Sequence, residues 1–541
     1  MTIKPVFAAP AAENGLFTLN SKNIAQIAEE YAIPSRREWS YNEAWKGFHD
    51  LREAFMNAIQ VYDAPKGARV SEDYEVSVRI PGGGWQRISV YEAKVDMHNV
   101  RSASMAYFDL KGRAEVRIKA AADAGEAVVR PLSSGITAAY QDGAALLTLD
   151  KPCKLSVEFG GDRFGNLHLF ANPVDEGAPY PGDEGVLLLQ PAIHRPEDIY
   201  GMLERALESD KRVRPVLYFA PGVHYVEETI VRVPSGVTVY IAGGAVVAGS
   251  FVFDRVEDAA LRGRGVIDLS AFHRFSAFRG VRIVHSRSIA VEGVILLDPP
   301  HYSIYIGSSE QVRITNFKSF STRGWSDGID MMASSDIDIR DVFLRTSDDC
   351  IAVYASRWNY RGDTRRISVS DAVLWADVAH PLMMGTHGDH DGAGDTIEDI
   401  RFANIDILEH HEPQPNYWGA MAINAGDNNT IRNVTYDGIH VEAFEQGQLV
   451  DIRVMFNKDY NPAPGKAVEN IVFRNVRYDG DNVNPNRIYG FDEERRVTSI
   501  TFEGLFINGK PVLNAEQGHF DINGYTDGIA FSPLNDEWRS V

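Results

Sequence analysis

Two short acidic runs in the second half of the chain could carry out chemistry together. The first contains Asp327 and Asp330, and the second, which begins 21 residues after Asp327, contains the adjacent pair Asp348 and Asp349. Three acids from neighbouring turns of a repetitive scaffold can supply a general acid and a general base. Cleavage of a glycosidic bond requires such a pair of carboxyl groups.

A repeated six-residue pattern predicts the scaffold that would position these acids. Each repeat has apolar residues at positions 1, 3 and 6 and Gly, Asn or Asp at position 5, which is typical of a strand followed by a bend. The repeats start 23 to 37 residues apart, at Ile289, Val312, Ile337, Ile367, Ile400, Val434, Ile471 and Ile500. Short coils of this kind stack into a solenoid, so we predict a right-handed parallel β-helix. A β-propeller is the main alternative, but it needs regular two-residue hairpin turns that the sequence lacks.

In such a solenoid, equivalent positions on consecutive coils lie about 5 Å apart, so Asp327 should lie beside Asp348 and Asp349. An ideal strand points Asp348 and Asp349 to opposite faces, so a bulge must re-aim one of them if both serve one site. Three carboxylates this close repel one another unless one holds a proton, and that residue would be the general acid. Calcium binding by the same oxygens is the open alternative, although we predict neither a metal nor a cofactor.

The rest of the chain predicts two further regions. Strands that alternate apolar and polar residues between Gly- and Pro-bearing turns predict an antiparallel β-sandwich over residues 66–185. Residues 1–65 are expected to form a partly helical N-terminal extension, with an amphipathic helix over 41–56. The β-helix should occupy residues 186–541 and begin with a capping helix near Pro196. The predicted fold class is therefore all-β, with a short helical segment before the sandwich and the β-helix.

Composition excludes several functions. The formal net charge of −21 disfavours a nucleic-acid partner, whose phosphates would be repelled. No run of 18 apolar residues suggests a membrane span. The two cysteines, Cys153 and Cys350, are interpreted as free thiols of a reducing compartment. Together with the lack of a secretory signal in the first residues, this favours a cytoplasmic protein. A secreted or periplasmic protein is the alternative, and the oligomeric state is not predicted.

Residues 285–390 resemble the polygalacturonases of glycoside hydrolase family 28. Residues 326–330 are similar to that family's Asn-Thr-Asp-Gly-Phe-Asp motif, residues 347–353 to its Asp-Asp-Cys motif, and the segment around His380 to its Gly-His-Gly segment. The resemblance implies that Asp348 is the general acid and that Asp327 and Asp349 hold and deprotonate the attacking water. It also implies that His380 tunes the proton affinity of an acid or binds a substrate hydroxyl. The resemblance also implies inversion of the anomeric configuration, as in the family 49 dextranases. An inverting mechanism is expected to separate acid and base by ~6.5–9.5 Å.

The substrate-binding positions depart from that family. Its Arg-Ile-Lys motif, whose cations grip a galacturonate carboxylate, should fall at residues 421–424, where no Arg or Lys occurs. Residues 348–356 and 373–375 resemble instead the motifs of family 49 dextranases, and this resemblance spans residues 70–510. We therefore expect a neutral, α-linked, dextran-like poly- or oligosaccharide as substrate.

Three alternatives to this function stay open. One is a polygalacturonase-like hydrolase of a uronate polymer. Another is a polysaccharide lyase, which would use a strong base such as Arg323, Arg345 or Arg357 beside the acids. The third is a non-catalytic β-helix that binds carbohydrate.

Several further residues are candidates for contacts with the sugar. Aromatic rings can stack on sugar faces, and polar side chains can bind hydroxyl groups. These candidates are His301, Tyr354, Arg357, Trp358, His387, Trp418 and Asn424.

Overall fold

The computed structural model describes residues 58–121, 125–209, 212–273, 280–414, 417, 419–481 and 484–535, and nearly all of their regular structure is β-strand. The helix predicted over residues 41–56 lies outside these ranges. Within them, no helix is long and apolar enough to cross a membrane.

Residues 58–173 form a sandwich of two sheets. Its strands are β1 (Ala58–Val61), β2 (Tyr74–Arg79), β3 (Gln86–Ile88), β4 (Val90–Val95), β5 (Arg101–Lys111), β6 (Ala114–Ala120), β7 (Ala127–Arg130), β8 (Ala139–Gln141), β9 (Ala144–Leu149), β10 (Cys153–Phe159) and β11 (Leu167–Pro173), with a 3-10 turn at Leu132–Ser134. The first sheet has the order β1-β5-β11-β10-β7, with β4 also paired to β5, and the second has the order β3-β2-β6-β9-β8. The pairings are antiparallel as predicted, apart from the parallel pair β5–β11.

The alternation of residues along these strands explains the sandwich core. On β2, Val76 and Val78 are buried between the sheets, whereas Glu75 faces solvent. Strand β1 belongs to the first sheet although it lies within the segment predicted as the N-terminal extension. The sandwich sheet therefore begins before residue 66, and the division of the chain into domains stays a prediction.

A second, 30-stranded assembly follows the sandwich. Its strands are β12 (Val186–Leu189), β13 (Ile193–His194), β14 (Val216–Phe219), β15 (Gly222–Arg232), β16 (Thr238–Ile241), β17 (Ala245–Asp254), β18 (Glu257–Gly263), β19 (Val266–Asp268), β20 (Val281–Val284), β21 (Arg287–Glu292), β22 (Ile295–Leu297), β23 (Ile304–Gly307), β24 (Glu310–Thr315), β25 (Lys318–Phe320), β26 (Ile329–Met332), β27 (Ser335–Arg340), β28 (Phe343–Thr346), β29 (Ile351–Tyr354), β30 (Thr364–Ala376), β31 (Leu382–Gly385), β32 (Thr396–Glu409), β33 (Met421–Ala425), β34 (Thr430–Val441), β35 (Val450–Val454), β36 (Ala467–Tyr478), β37 (Asn486–Tyr489), β38 (Val497–Ile507), β39 (Lys510–Pro511), β40 (Phe520–Ile522) and β41 (Thr526–Ser532). Strands of successive coils pair in parallel, so the predicted parallel β-helix is confirmed.

The parallel pairings form three faces along the β-helix. The first face contains β21, β24, β27 and the first half of β30. The second contains β22, β25, β28 and the second half of β30. The third contains β20, β23, β26, β29, β31, β33, β35, β37 and β40. Each face contributes inward apolar side chains to one continuous core.

The structure places the eight sequence repeats in register on the first face. Ile289 pairs with Val312 and Val312 with Ile337, and this pairing of first positions continues to Ile500. The fifth position of every repeat has a positive φ, between 48° and 83°, at Gly293, Asn316, Asp341, Asp371, Asn404, Gly438, Asn475 and Gly504. Gly, Asn and Asp tolerate this left-handed backbone, so the pattern encodes the bend that leads from the first face to the second.

The predicted capping helix is present as α1 (Pro196–Ser209), with Glu197 and Asp198 in its first turn. Its buried residues Ile199 and Leu203 pack on the core of the β-helix. The helix therefore covers apolar residues of the first coils.

The sandwich packs on the second face through an apolar layer and a buried ion pair. Phe170 of the sandwich packs with Phe320, Phe343 and other rings of the second face. Arg345, which is fully buried at the end of β28, binds Asp377 through Nε at 3.0 Å. The same guanidinium donates to the side chain of Asn166 in the sandwich at 3.0 Å.

Replacing Arg345 with alanine is expected to lower the free energy of unfolding by about 3–5 kcal/mol, because Asp377 would remain buried without a counterion. Thermal melting followed by circular dichroism measures the change. Arg340→Ala is the matched control, since that arginine is 59% exposed in its pair with Asp338. Equal melting temperatures for the two variants would contradict the structural role of Arg345.

Candidate active site

The four predicted catalytic residues lie at the turns that enter the third face. Asp327 precedes β26, Asp348 and Asp349 precede β29, and His380 precedes β31. The Cys350 amide donates to the carbonyl oxygen of His380 at 2.8 Å and holds two of these turns in register. Consecutive coils therefore bring the four side chains together.

The three aspartates share one side of these turns, away from the core. Ile329 and Ile351, which begin the following strands, are fully buried inside the β-helix. One oxygen from each of Asp327, Asp348 and Asp349 can be chosen so that all three lie within 4.8 Å of one another. Asp348 is half-buried, and the other two are buried. The carboxyl groups thus form a single cluster that is reached from the Asp348 side.

Asp348 has both of its oxygens on backbone donors. The Trp325 N–H donates to Oδ2 at 2.7 Å, and the Asp349 N–H donates to Oδ1 at 3.1 Å. Burial and the neighbouring Asp349 charge raise the pKa of Asp348 to about 7, although the two N–H donors oppose the shift. A carboxyl group with this pKa can hold and release a proton near neutral pH, as a general acid must.

This pKa sets an expected pH dependence of activity. Asp348 must carry a proton to act as an acid, so kcat/KM should fall as the pH rises through about 7. The loss should approach about tenfold per pH unit at higher pH, as expected for one group. Initial rates between pH 5 and 9 measure this fall in kcat/KM. A value of kcat/KM that rises from pH 7 to 8 would contradict the prediction.

Asp349 forms an ion pair with the buried His380. The Nδ1–H and the backbone N–H of His380 both donate to Asp349 Oδ1, at 2.7 and 3.0 Å, and Nε2–H donates to the Tyr417 carbonyl at 3.0 Å. Acceptors beside both ring nitrogens fit an imidazolium, which carries two N–H donors. Burial opposes this charge, but the Asp349 charge and hydrogen bond outweigh it and raise the pKa of His380 to about 9. Both donors occupy Oδ1, so Oδ2 is the Asp349 oxygen left to contact other groups.

Asp330 is a fourth buried carboxyl group, which the sequence interpretation did not assign to the site. It lies on β26 between Ile329 and Met331, which face the core, so it points outward. Arg357 Nη1 lies 3.6 Å from Asp330 Oδ2. Burial raises the pKa values of both Asp327 and Asp330 well above the usual range, and Arg357 opposes both shifts. The two carboxyl groups therefore hold protons in preference to two full negative charges.

Arg357 and a group of aromatic rings line the site beside the acids. The Arg357 guanidinium lies 4.4 Å from the ring centroid of Tyr354 and 4.9 Å from that of Trp358. His301 lies between two tryptophans, 6.4 Å from Trp325 and 6.3 Å from Trp358. These tryptophans are 53% and 42% exposed, so both offer ring surface to a sugar.

The structure places the other predicted contact residues in different surroundings. His387 packs on Tyr354 with ring centroids 5.3 Å apart, and burial together with the Arg357 charge lowers its pKa to about 3. Asn424 is fully buried on the outward side of β33, two strands beyond Tyr354 on the third face. Its Oδ1 has no hydrogen-bond partner in the described part of the chain. Trp418 lies outside the described residues.

The carboxylate cluster is also the group of described residues that could hold a metal ion. Calcium takes roughly six to eight oxygen ligands. Here both oxygens of Asp348 accept N–H bonds, and the His380 imidazolium occupies one oxygen of Asp349. A cation would also lie near the positive charge of Arg357. This set of groups fits proton transfer better than calcium binding.

Comparisons with known proteins find similar sequences and a similar fold. Residues 277–519 match the family model described as glycosyl hydrolases family 28. The probable exopolygalacturonase B of Emericella nidulans is 24% identical over 246 residues, which are 40% of this chain and 53% of that protein. The polygalacturonase of Juniperus ashei is 22% identical over 317 residues, which are 53% of this chain and 57% of that protein. The chain thus spans about half the length of the curated relatives it matches.

The fold has a solved counterpart in Dex49A from Penicillium minioluteum. The two structures superpose with a TM-score of 0.61 at 16% sequence identity, over 87% of this chain and 96% of Dex49A. At this coverage the matched region extends beyond the β-helix into the part of the chain before it. The chain is thus similar in sequence to the glycoside hydrolases of family 28 and in fold to Dex49A, and the predicted resemblance to β-helix glycoside hydrolases is confirmed.

Proposed function

We propose that this protein is a glycoside hydrolase that cleaves a neutral poly- or oligosaccharide by general acid and general base catalysis. The observation that carries the proposal is the convergence of Asp327, Asp348 and Asp349 within 4.8 Å beside the Asp349–His380 ion pair. A binding protein would gain nothing from burying three repelling carboxyl groups. The family match over residues 277–519 supports the same class of reaction.

In the proposed reaction, Asp348 gives its proton to the glycosidic oxygen as the bond from that oxygen to the anomeric carbon breaks. A water held by Asp349 and Asp327 attacks the anomeric carbon and loses a proton to the Asp349 carboxylate. One bond to carbon is lost and one is formed; the proton taken by the base is released to solvent, and Asp348 recovers a proton from solvent. Each of the two proton transfers is expected to contribute about 10²–10⁴-fold to the rate.

His380 acts in this scheme through Asp349. Its imidazolium pairs with Asp349 and occupies Oδ1, so that Oδ2 can accept a hydrogen bond from the water. Asp330 and Arg357 act through Asp327, because Arg357 opposes the uptake of protons by both carboxyl groups. We propose His380, Asp330 and Arg357 as positioning residues.

The separation of the acids bears on the stereochemistry. One oxygen from each acid lies within 4.8 Å of the others, whereas the ~6.5–9.5 Å expected for an inverting pair is the separation of the carboxyl groups as a whole. Two oxygens at this distance can each accept one hydrogen bond from a single bridging water, since such bonds span about 2.7–2.8 Å. We therefore propose direct attack by that water and inversion at the anomeric carbon. Proton NMR of the first products tests this, because retention of the anomer would require a carboxylate nucleophile instead.

The substrate is proposed to be neutral because of the side chains on β33. Ala422 and Asn424 alternate with Met421 and Ile423, which face the core, and therefore point outward on the third face. Asn424 is uncharged and cannot neutralise a uronate carboxylate. The Arg357 guanidinium, which lies beside the acids, already faces Asp330.

A uronate polymer is the second candidate substrate. The names of the relatives from Emericella nidulans and Juniperus ashei favour it. A lyase reaction has less support, because it needs a strong base at the site. Arg345 is buried against Asp377, and Arg323 binds Asp298 at 3.1 Å. Burial opposes the charge of Arg357, but the neighbouring Tyr302, Tyr354 and Asp330 side chains outweigh it and raise the pKa of Arg357 further, so it is a poor base.

A digestion series tests the proposal. The protein is incubated separately with dextran, pullulan and polygalacturonate in water enriched in ¹⁸O. The products are separated by chromatography, and their masses are measured by mass spectrometry. Hydrolysis of a neutral polymer, with one ¹⁸O at each new reducing end, is the expected result. Release from polygalacturonate alone would support the uronate alternative. An unsaturated product that absorbs ultraviolet light would indicate a lyase, and no product from any polymer would favour a binding protein.

For the compartment, we propose the secreted or periplasmic alternative. Burial raises the pKa of Cys153 to about 12 and raises that of Cys350 as well, so neither thiol readily forms the reactive thiolate. Such thiols persist in oxidising and reducing compartments alike and no longer favour the cytoplasm. A polymeric substrate is met outside the cell.

A further inference from the structure

The outer side of the second sandwich sheet carries a groove of about 710 Å³. Its walls come from β2, β6, β8 and β9 and from the turn between β2 and β3. This volume falls within the ~300–1,000 Å³ that is usual for small-molecule sites. The first sheet, on the other side of the sandwich, contributes Tyr107 and Phe170 to the layer that packs on the β-helix. The groove is therefore separate from the acids.

The floor of the groove is polar and balanced in charge. The outward residues of β2 and β6 lie opposite each other, with Glu75 against Lys119, Ser77 against Arg117 and Arg79 against Glu115. Arg79 Nε donates to Glu115 Oε2 at 2.6 Å. These facing pairs provide both donors and acceptors, so the floor can bind hydroxyl groups without attracting a polyanion.

One aromatic ring stands at the edge of this floor. Trp85, in the turn between β2 and β3, is half-buried and lines the groove. The guanidinium groups of Arg79 and Arg117 lie 4.3 and 4.9 Å from its ring centroid and fix its position. A tryptophan held in this way offers a flat apolar surface beside an array of hydrogen-bonding groups.

We propose that this groove is a second saccharide site, which binds a neutral oligosaccharide chain at a distance from the acids. A sugar ring has an apolar face that stacks on an aromatic ring and hydroxyl groups that need both donors and acceptors, and the groove supplies both. Three acidic and three basic side chains line it, namely Glu75, Glu115, Asp142, Arg79, Arg117 and Lys119, so a uronate chain finds no excess of positive charge. The proposal that the ligand is a neutral saccharide rests on the proposed function; the groove and its lining do not.

Affinity electrophoresis in gels that contain dextran, pullulan or polygalacturonate tests the site. The parent protein is Asp348→Asn, so that bound polymer is not consumed, and Trp85→Ala is introduced into it. The expected result is retardation of the parent by a neutral polymer, with a dissociation constant that Trp85→Ala raises about fivefold, the size of one lost aromatic contact. Trp85→Phe keeps a flat ring and should lie within about twofold of the parent.

Two controls separate this site from the cleft and from misfolding. Trp358→Ala in the same parent weakens only cleft binding, so its effect should add to that of Trp85→Ala. Circular dichroism melting of Trp85→Ala should match that of Trp85→Phe. In the otherwise unaltered enzyme, Trp85→Ala should leave turnover of a short oligosaccharide unchanged and slow that of the polymer. Equal retardation of parent and Trp85→Ala, retardation by polygalacturonate alone, or no retardation by any neutral polymer would overturn the site even if hydrolysis is confirmed.

Discussion

Replacing Asp348 with asparagine is expected to lower kcat by about 10²–10⁴-fold, which is the usual contribution of a general acid. The amide keeps the shape of the carboxyl group, but its single oxygen can accept only one of the two N–H bonds that Trp325 and Asp349 donate to the carboxyl oxygens. It has no proton to give to the departing oxygen. Steady-state rates on the polymer found in the digestion series measure the loss.

The matched control for this variant is Asp338→Asn, which changes a surface acid on β27 that pairs with Arg340. Both variants should melt close to the unaltered protein, because neither change empties a packed position. If Asp348→Asn keeps most of the activity, or if Asp338→Asn loses as much, Asp348 is not the general acid.

Replacing Asp349 with asparagine is expected to lower kcat by at least about 10²-fold and to change how stability depends on pH. An amide cannot take a proton from water, and the buried His380 imidazolium loses its counterion. In the unaltered protein the pKa of His380 is raised from 6.5 to about 9. The stabilisation from its charge is therefore fully present below about pH 6.5 and is lost as the pH rises through about 9.

Melting temperatures between pH 6 and 10 measure this second effect. The melting temperature of the unaltered protein should fall across that range. In the Asp349→Asn variant, the part of this fall that comes from deprotonation of His380 should be absent. His380→Asn serves as the control, since it removes the same titration but keeps the carboxylate. In His380→Asn the same part of the fall in melting temperature should be absent, but this variant should retain more activity than Asp349→Asn. An unchanged slope in Asp349→Asn would show that the pair does not set the charge of His380.

The local repeat explains why the architecture of the β-helix could be predicted. Strand alternation and a Gly, Asn or Asp at the bend are properties of six consecutive residues, so the register from Ile289 to Ile500 follows from the sequence alone. The parallel pair β5–β11 in the sandwich was not predicted. Its strands are separated by several others, and pairing between distant strands leaves no local pattern.

The site was predictable only where its residues belong to recognisable runs. Asp327, Asp348 and Asp349 could be grouped because the coil length brings them together. Asp330 was missed although it stands between Ile329 and Met331, whose alternation indicates an outward side chain. Arg345 was a candidate base, but it lies in the contact with the sandwich, and the sequence does not tell which face that domain covers. The separation between acid and base could not be predicted, because it depends on side-chain placement within the turns.

The rate of Asp348→Asn on a glycoside with a good leaving group tests the central claim most directly. The substrate is a dinitrophenyl glycoside of the sugar that the digestion identifies. Its leaving group, dinitrophenolate, departs without receiving a proton, so cleavage of this substrate needs the base but not the acid. The loss of kcat in Asp348→Asn should shrink from about 10²–10⁴-fold on the natural bond to within about tenfold on this substrate. The loss of kcat in Asp349→Asn should stay the same on both substrates. Equal deficits of Asp348→Asn on both substrates would contradict proton donation by Asp348 and with it the proposed division of roles among the three aspartates.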